Sequence, residues 1–162
     1  MWLAILLLLA SGFGLGALLG APYLPVLRRD VETLLDLAEL GPGQHLIDLG
    51  SGDGKLLKAA ARRGIRATGY EINPLLYVAA RLNCWRYRRL VTIHLADFWR
   101  VPWPPADVIY VFLIGRYMRK LDHQLQHRIT RPTRVVSYVF EIPDRTAVAS
   151  TKNSFCYRYP IS

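Results

Sequence analysis

Asp48-Leu49-Gly50-Ser51-Gly52-Asp53-Gly54 follows the apolar pair Leu46-Ile47 and runs into a helical pattern that starts at Lys55. Strand, glycine turn and helix in that order commit the chain to a layered α/β architecture with a mainly parallel sheet. Alternating glycines remove the Cβ atoms that keep a ligand away from backbone, and they tolerate the positive φ of a tight turn. The helix start beyond them offers unpaired N–H groups. Two phosphate-binding readings fail on spacing. A P-loop needs a glycine where Leu49 stands and a Ser or Thr where Leu56 stands. A dinucleotide fingerprint needs its third glycine at Lys55. An acid two residues ahead of the alternating glycines fits S-adenosylmethionine, whose carboxylate meets the helix start. Such turns also occur without any ligand, so other residues have to decide.

Those residues follow at regular intervals. Ala67-Thr68-Gly69-Tyr70 reads as a second strand ending in Glu71, about 20 residues past the glycine turn, where an acid accepts hydrogen bonds from ribose hydroxyls. Asn73-Pro74 opens a helix, with Asn as N-cap and Pro at the first helical position. Leu90 to Leu95 reads as a third strand, with Asp97 placed for an adenine amino group and Phe98 beside the ring. One acid beyond a strand is commonly a solvated loop residue; three beyond three separate strands are harder to explain that way. The expected cofactor set is therefore Asp48, Gly50, Ser51, Gly52, Asp53, Gly54, Glu71, Asn73, Asp97 and Phe98.

With these residues the chain resembles the class I S-adenosylmethionine-dependent methyltransferases from about Pro22 to Pro143. More narrowly it resembles the small membrane-anchored protein-lysine methyltransferases of the mitochondrial inner membrane and their prokaryotic relatives. Ala21-Pro22-Tyr23-Leu24-Pro25, Gly69-Tyr70-Glu71-Ile72-Asn73-Pro74, Ala96-Asp97-Phe98-Trp99 and Val135-Val136-Ser137 carry that narrower likeness. The resemblance implies a Rossmann-like fold, S-adenosylmethionine as cofactor, and lysine acceptors such as those of the ATP synthase c subunit or the adenine nucleotide translocase. Leu113-Ile114-Gly115-Arg116 lacks the proline expected in relatives, and this loop usually faces the methyl acceptor. The alternatives are a methyltransferase for a membrane-soluble lipid or quinone, and a scaffold that binds S-adenosylmethionine without turnover.

Membrane attachment is read from the N-terminus. Trp2 to Pro22 carries no charged residue, and about 20 apolar residues suffice for a transmembrane helix. A cleaved signal peptide is the rival reading, but no basic residue precedes the apolar run, and Arg28-Arg29 follow it. The expectation is a single-pass anchor over residues 1–21 and a methyltransferase domain over 22–162 on the cytoplasmic side, or the matrix side if mitochondrial. Gly12, Gly16 and Gly20 share one face of the anchor, the spacing that lets membrane helices pack closely. A net charge of +9, from 21 Lys and Arg against 12 Asp and Glu, favours anionic surfaces. The basic residues lie in scattered clusters at Arg62-Arg63, Arg86 to Arg89 and Arg116 to Lys120, without a nucleic-acid motif, so no nucleic-acid partner is expected.

Helical spacing marks Arg29 to Leu40, Lys55 to Arg63, Pro74 to about Tyr87 and Arg116 to Ile129. Asp107 to Leu113 and Arg134 to Phe140 read as the fourth and fifth strands, and Phe155 to Tyr159 as an edge strand. The tail after Pro143 looks too short for a full helix plus hairpin. No metal site is expected: His123 and His127 share a helix face without further ligands, and Cys84 and Cys156 form no Cys-x-x-Cys pair. No catalytic base stands out. Glu141 is a candidate for orienting an amine. Trp99, Trp103, Tyr110 and Tyr117 surround the expected acceptor side, where core packing accounts for each of them and one or two are candidates to line a lysine channel.

Overall fold

The computed structural model describes residues 28–159. The expected anchor over 1–21 lies outside them. Among the described residues, no helix is long and apolar enough to cross a membrane.

The chain alternates strand and helix: α1 (Arg28–Leu37), β1 (His45–Leu49), α2 (Lys55–Arg62), β2 (Arg66–Glu71), α3 (Pro74–Asn83) and β3 (Val91–Leu95). After β4 (Val108–Val111) come α4 (Met118–Arg128), β5 (Thr133–Tyr138), β6 (Ala149–Thr151) and β7 (Ser154–Tyr159). The strands form one seven-stranded sheet in the order β3-β2-β1-β4-β5-β7-β6. The pairs β1/β2, β1/β4, β2/β3 and β4/β5 are parallel, and only β7 runs against its neighbours. Strand order reverses at β1, which lies between β2 and β4. In open sheets of this kind ligands sit at such a switch point, outside the carboxyl ends of the strands.

Strand alternation divides the interior into two cores. Leu46, Val108, Tyr110, Val136 and Tyr138 face one, under α1 and α2; Ile47, Leu49, Ile109, Val111 and Val135 face the other, under α4. Near-continuous burial of β1, β4 and β5 is what a sheet covered on both faces requires. The α1 helix is fastened at its start, where the Tyr138 hydroxyl donates to the Asp30 carboxylate.

The expected elements form with shifted ends. The third helix stops at Asn83 and a separate 3₁₀ turn covers Trp85–Tyr87, while Gly115–Tyr117 is a 3₁₀ turn ahead of α4. The C-terminal expectation needs a correction. No helix intervenes between β5 and the last strands, and the length thus spared makes a β6–β7 hairpin around Lys152-Asn153.

Gly69 fixes how the glycine turn lies on the sheet. A Cβ there would stand 2.5 Å from Leu57 Cδ1 and 2.7 Å from Ser51 Oγ. The turn and the first residues of α2 reach β2 only because that side chain is missing. Gly69→Ala is expected to cost about 1–3 kcal/mol, the range for overpacking a tight interior, read as a lowered midpoint in chemical denaturation.

Candidate functional site

The turn after β1 is tied to the end of β2 at several points. The Tyr70 carbonyl accepts from both Gly50 N–H (3.0 Å) and Ser51 N–H (2.9 Å). One oxygen of Glu71 accepts from Gly52 N–H and the other from Asn73 N–H, each at 2.8 Å. The Glu71 carboxylate is buried and held in one orientation by two loops. Asn73 caps α3 as its sequence position foretells, its Oδ1 accepting from Leu75 N–H at 2.9 Å and Leu76 N–H at 3.3 Å.

The glycines of the turn do different work. Gly50, Gly52 and Gly54 all have positive φ, at 104°, 54° and 76°. A Cβ on Gly50 would meet nothing within 4 Å, so its outer side opens onto free space. A Cβ on Gly54 would press on Ala80 Cβ and Cys84 Sγ, both at 3.1 Å, which makes Gly54 the contact between the turn and α3. Asp53 is drawn toward α2: its carboxylate pairs with Lys55 Nζ at 2.9 Å and accepts from Lys55 N–H at 3.3 Å.

Asp48 is the unusual member. It is buried at the end of β1, and its Oδ1 has no hydrogen-bond partner. Burial first, and then the charges of Glu71 and Asp53, push its carboxyl well above the usual range. Ser51 Oγ and the Tyr110 hydroxyl are likewise buried without partners. Tyr110 is the register partner of Asp48 on β4. Buried polar atoms are nearly always satisfied, and the exceptions gather at functional positions.

Asp97 and Phe98 stand just beyond β3, and the structure gives both of them local work. Asp97 Oδ1 accepts from Trp99 N–H at 3.0 Å and Oδ2 pairs with Arg100 at 3.2 Å. The Phe98 ring packs on Trp99, with centroids 4.6 Å apart, in the core under α4. Arg128, at the end of α4, holds this loop by donating to the carbonyls of Val101 and Trp99, each at 2.8 Å. Nothing local marks Arg128 in the sequence, because its partners lie some thirty positions away in the chain.

The loops after β4 and β5 meet where a Cβ on Gly115 would touch Phe140 at 3.3 Å. Trp99 and Tyr117 stand beside each other with ring centroids 6.4 Å apart. Tyr110, expected among these aromatics, belongs instead to the opposite core with Asp48, since alternation along β4 turns it the other way. Val139 has φ 70°, and Phe140 N–H closes a tight turn onto the Tyr138 carbonyl at 2.9 Å. A β-branched residue in that region is strained, a feature that concentrates at functional sites. Glu141 follows it and is exposed.

Residues 48–149 match the family described as "ANTKMT methyltransferase domain". The chain belongs to that methyltransferase family. The adenine nucleotide translocase lysine N-methyltransferase of Mus musculus is 40% identical over 147 residues, covering 88% of this chain and 64% of the relative. The chain thus spans somewhat under two thirds of that relative's length. A protein-lysine N-methyltransferase of Saccharolobus islandicus (strain REY15A) is 30% identical over 125 residues, 75% of this chain and 78% of the relative. Among solved structures, an RNA methyltransferase from Salinibacter ruber in complex with S-adenosyl-L-homocysteine superposes with a TM-score of 0.81. It is 27% identical, over 86% of this chain and 95% of that one.

Family members take their methyl group from S-adenosylmethionine, and the residues present fit it. The ligand is cationic at sulfur and carries an ammonium group. Asp48 and Glu71 are buried acids, and an unpartnered carboxylate oxygen beside an open glycine edge suits such a ligand.

The folded chain holds the Asp48 proton more tightly than the unfolded chain, so ligand-free stability falls as pH rises from about 4 through the raised folded value. Asp48→Asn is expected to flatten that decline and raise the denaturation midpoint at neutral pH, while S-adenosylmethionine binding measured by calorimetry is lost. Unchanged pH dependence in the variant would show that Asp48 is not the group responsible.

Proposed function

We propose that this chain is an S-adenosylmethionine-dependent protein-lysine N-methyltransferase whose acceptor lies on a protein in or at a membrane. The observation that carries the lysine assignment is the family match over residues 48–149, joined by animal and archaeal relatives named as lysine N-methyltransferases. The membrane part rests on the uncharged stretch Trp2 to Pro22, read as a single-pass anchor with Arg28-Arg29 on its cytoplasmic or matrix side.

When bound, S-adenosylmethionine supplies an electrophilic methyl group on a sulfonium. The protein's task is to align and to exclude water. Glu71, oriented by the Gly52 and Asn73 amides, is assigned to the ribose hydroxyls, and Asp48 with Ser51 to the amino-acid end near the N-terminus of α2. Gly50 leaves the room for close approach. Asp97 is assigned to the adenine, with its exchange from the Arg100 pair as part of binding. Trp99, Tyr117 and Phe140, partly buried against the core under α4, are assigned to the acceptor side. An entering lysine, with an ordinary pKa of about 10.4, must arrive or become neutral, and apolar surroundings lower its pKa. Glu141, exposed directly after Phe140 in the chain, is assigned to orient the amine.

A second reading, RNA as acceptor, is favoured by the near full-length superposition on the Salinibacter ruber RNA methyltransferase. The translocase enzyme is the more similar in sequence, and that ranks lysine first.

Glu71→Ala is expected to weaken S-adenosylmethionine binding by about 1.5–3 kcal/mol, the range for hydrogen bonds to a charged acceptor, in titration calorimetry. For the acceptor, full-length protein is incubated with native membranes, RNA and methyl-labelled S-adenosylmethionine. Label is expected on lysine in the membrane-protein fraction. Label confined to RNA or to extractable lipid overturns the lysine assignment, and binding without any transfer marks a non-catalytic scaffold. Removing residues 1–21 is expected to leave cofactor affinity intact and to lower labelling of membrane protein sharply, as loss of effective concentration predicts.

A further inference from the structure

The outer face of α3 is built the wrong way round for a helix on a sheet. A surface helix ordinarily buries its apolar stripe and shows polar residues to water. The α4 helix does so, burying Met118, Leu121 and Leu125 at helical spacing. Of the ten residues of α3, the only one fully buried is Ala80. Leu75, Val78 and Leu82, at i, i+3 and i+7, share the outer face and are 50%, 52% and 71% exposed. Trp85, in the 3₁₀ turn that continues the helix, is 59% exposed and extends the stripe. Ile72 begins it beside Glu71, so the stripe runs from the rim of the cofactor site to the far end of the helix. Contiguous apolar surface of this kind marks an interaction site.

Its surroundings specify the partner. No Asp or Glu occurs between Glu71 and Asp97, whereas Arg81, Arg86, Arg88 and Arg89 all fall in that segment and all are exposed. The Arg88 guanidinium lies over the Trp85 ring at 5.4 Å, and Arg81 over Tyr77 at 5.8 Å. Aliphatic side chains flanked by arginine, with an aromatic ring at one end, are the makings of an interfacial helix on an anionic bilayer. Nucleic acid would draw on the arginines and Trp85 but would gain nothing from Leu75, Val78 and Leu82, which neither stack on bases nor pair with phosphate.

We propose that the outer face of α3 and the Trp85–Tyr87 turn is a membrane-contact surface, which lays the domain on anionic lipid with the rim of its cofactor site at the headgroup level. This deepens the membrane reading above and rests on it for where the acceptor is, but not for the surface itself. An anchor alone leaves a domain free to turn about its tether. A second contact on α3 fixes which side of the domain meets the bilayer.

The test uses the full chain on lipid vesicles, with an environment-sensitive fluorophore on Leu82→Cys and, separately, on Lys152→Cys at the hairpin on the opposite edge of the sheet. The native thiols do not compete: both are buried, and burial pushes Cys84 up to about 11. On phosphatidylcholine vesicles holding roughly one-third phosphatidylglycerol, a typical anionic surface, the probe at position 82 is expected to shift to the blue. It is also expected to be quenched by brominated acyl chains, while the probe at 152 stays water-like. Arg86→Gln, Arg88→Gln and Arg89→Gln together should reduce that quenching severalfold, as should high salt.

Sedimentation with the vesicles, measured alongside, separates this proposal from the anchor. Sedimentation that survives the arginine replacements while quenching falls shows an anchor plus the α3 contact. Joint loss of both shows the α3 contact without an anchor. A probe at 82 that stays in water on sedimented vesicles overturns the proposal, as does equal quenching on neutral lipid. A blue shift produced by added tRNA but not by lipid, or a dimer in light scattering whose formation buries position 82, assigns the face to another partner and overturns it as well.

Discussion

The site depends on one backbone arrangement, the docking of the glycine turn onto the last two residues of β2. The Tyr70 carbonyl takes two successive amides of the turn, and Glu71 takes a third. Those amides are therefore spent on placing the turn, and the same contacts fix the orientation of the Glu71 carboxylate. Gly69 makes the approach sterically feasible, and Gly54 lets α3 close over the other side. The turn and the Glu71 carboxylate are thus held in one arrangement without any ligand.

That preorganisation stands against stability. A buried carboxylate with an unpaired oxygen, near a second buried acid, is an arrangement that folding alone does not favour. The Tyr110 hydroxyl opposite Asp48 adds a second unpaired group, and Val139 adds strain at the end of β5. All three lie at the carboxyl ends of central strands. The other end of the sheet is quiet by comparison: His45 Nε2 meets Thr68 at 2.8 Å, and the Asp107 carboxylate accepts from His45 N–H at 2.7 Å. Unpaired polar groups at the carboxyl ends thus contrast with paired ones at the other end of the sheet.

Local signals were legible in the sequence and long-range ones were not. The glycine turn, Glu71 at a strand end and the Asn73 cap depend on neighbours within a few residues, and they stand where spacing places them. The strand–helix alternation follows from the same local patterns. The β6 strand escapes because Ala149–Thr151 is three residues long and fully exposed, with no alternation to read. Which core Tyr110 joins is not legible, because a fully buried strand such as Val108–Val111 reads as a continuous apolar run in which neither face is marked. The grip of Arg128 on the Phe98–Val101 loop joins elements about thirty residues apart and leaves no local trace.

The α3 helix shows where pattern reading misleads in the other direction. Its leucines and valine repeat at the spacing of a buried face, and periodicity alone would turn them inward. The structure turns Ala80 and Cys84 inward because only small groups fit against Gly54, where a Cβ would already crowd both. The tight packing that brings α3 down onto the glycine turn thus compels the larger apolar residues to the outside. One contact therefore has two consequences. It closes α3 onto the glycine turn, and it leaves a hydrophobic, arginine-flanked surface beside that turn, so the placement of the turn and the exposure of that surface come from the same packing contact.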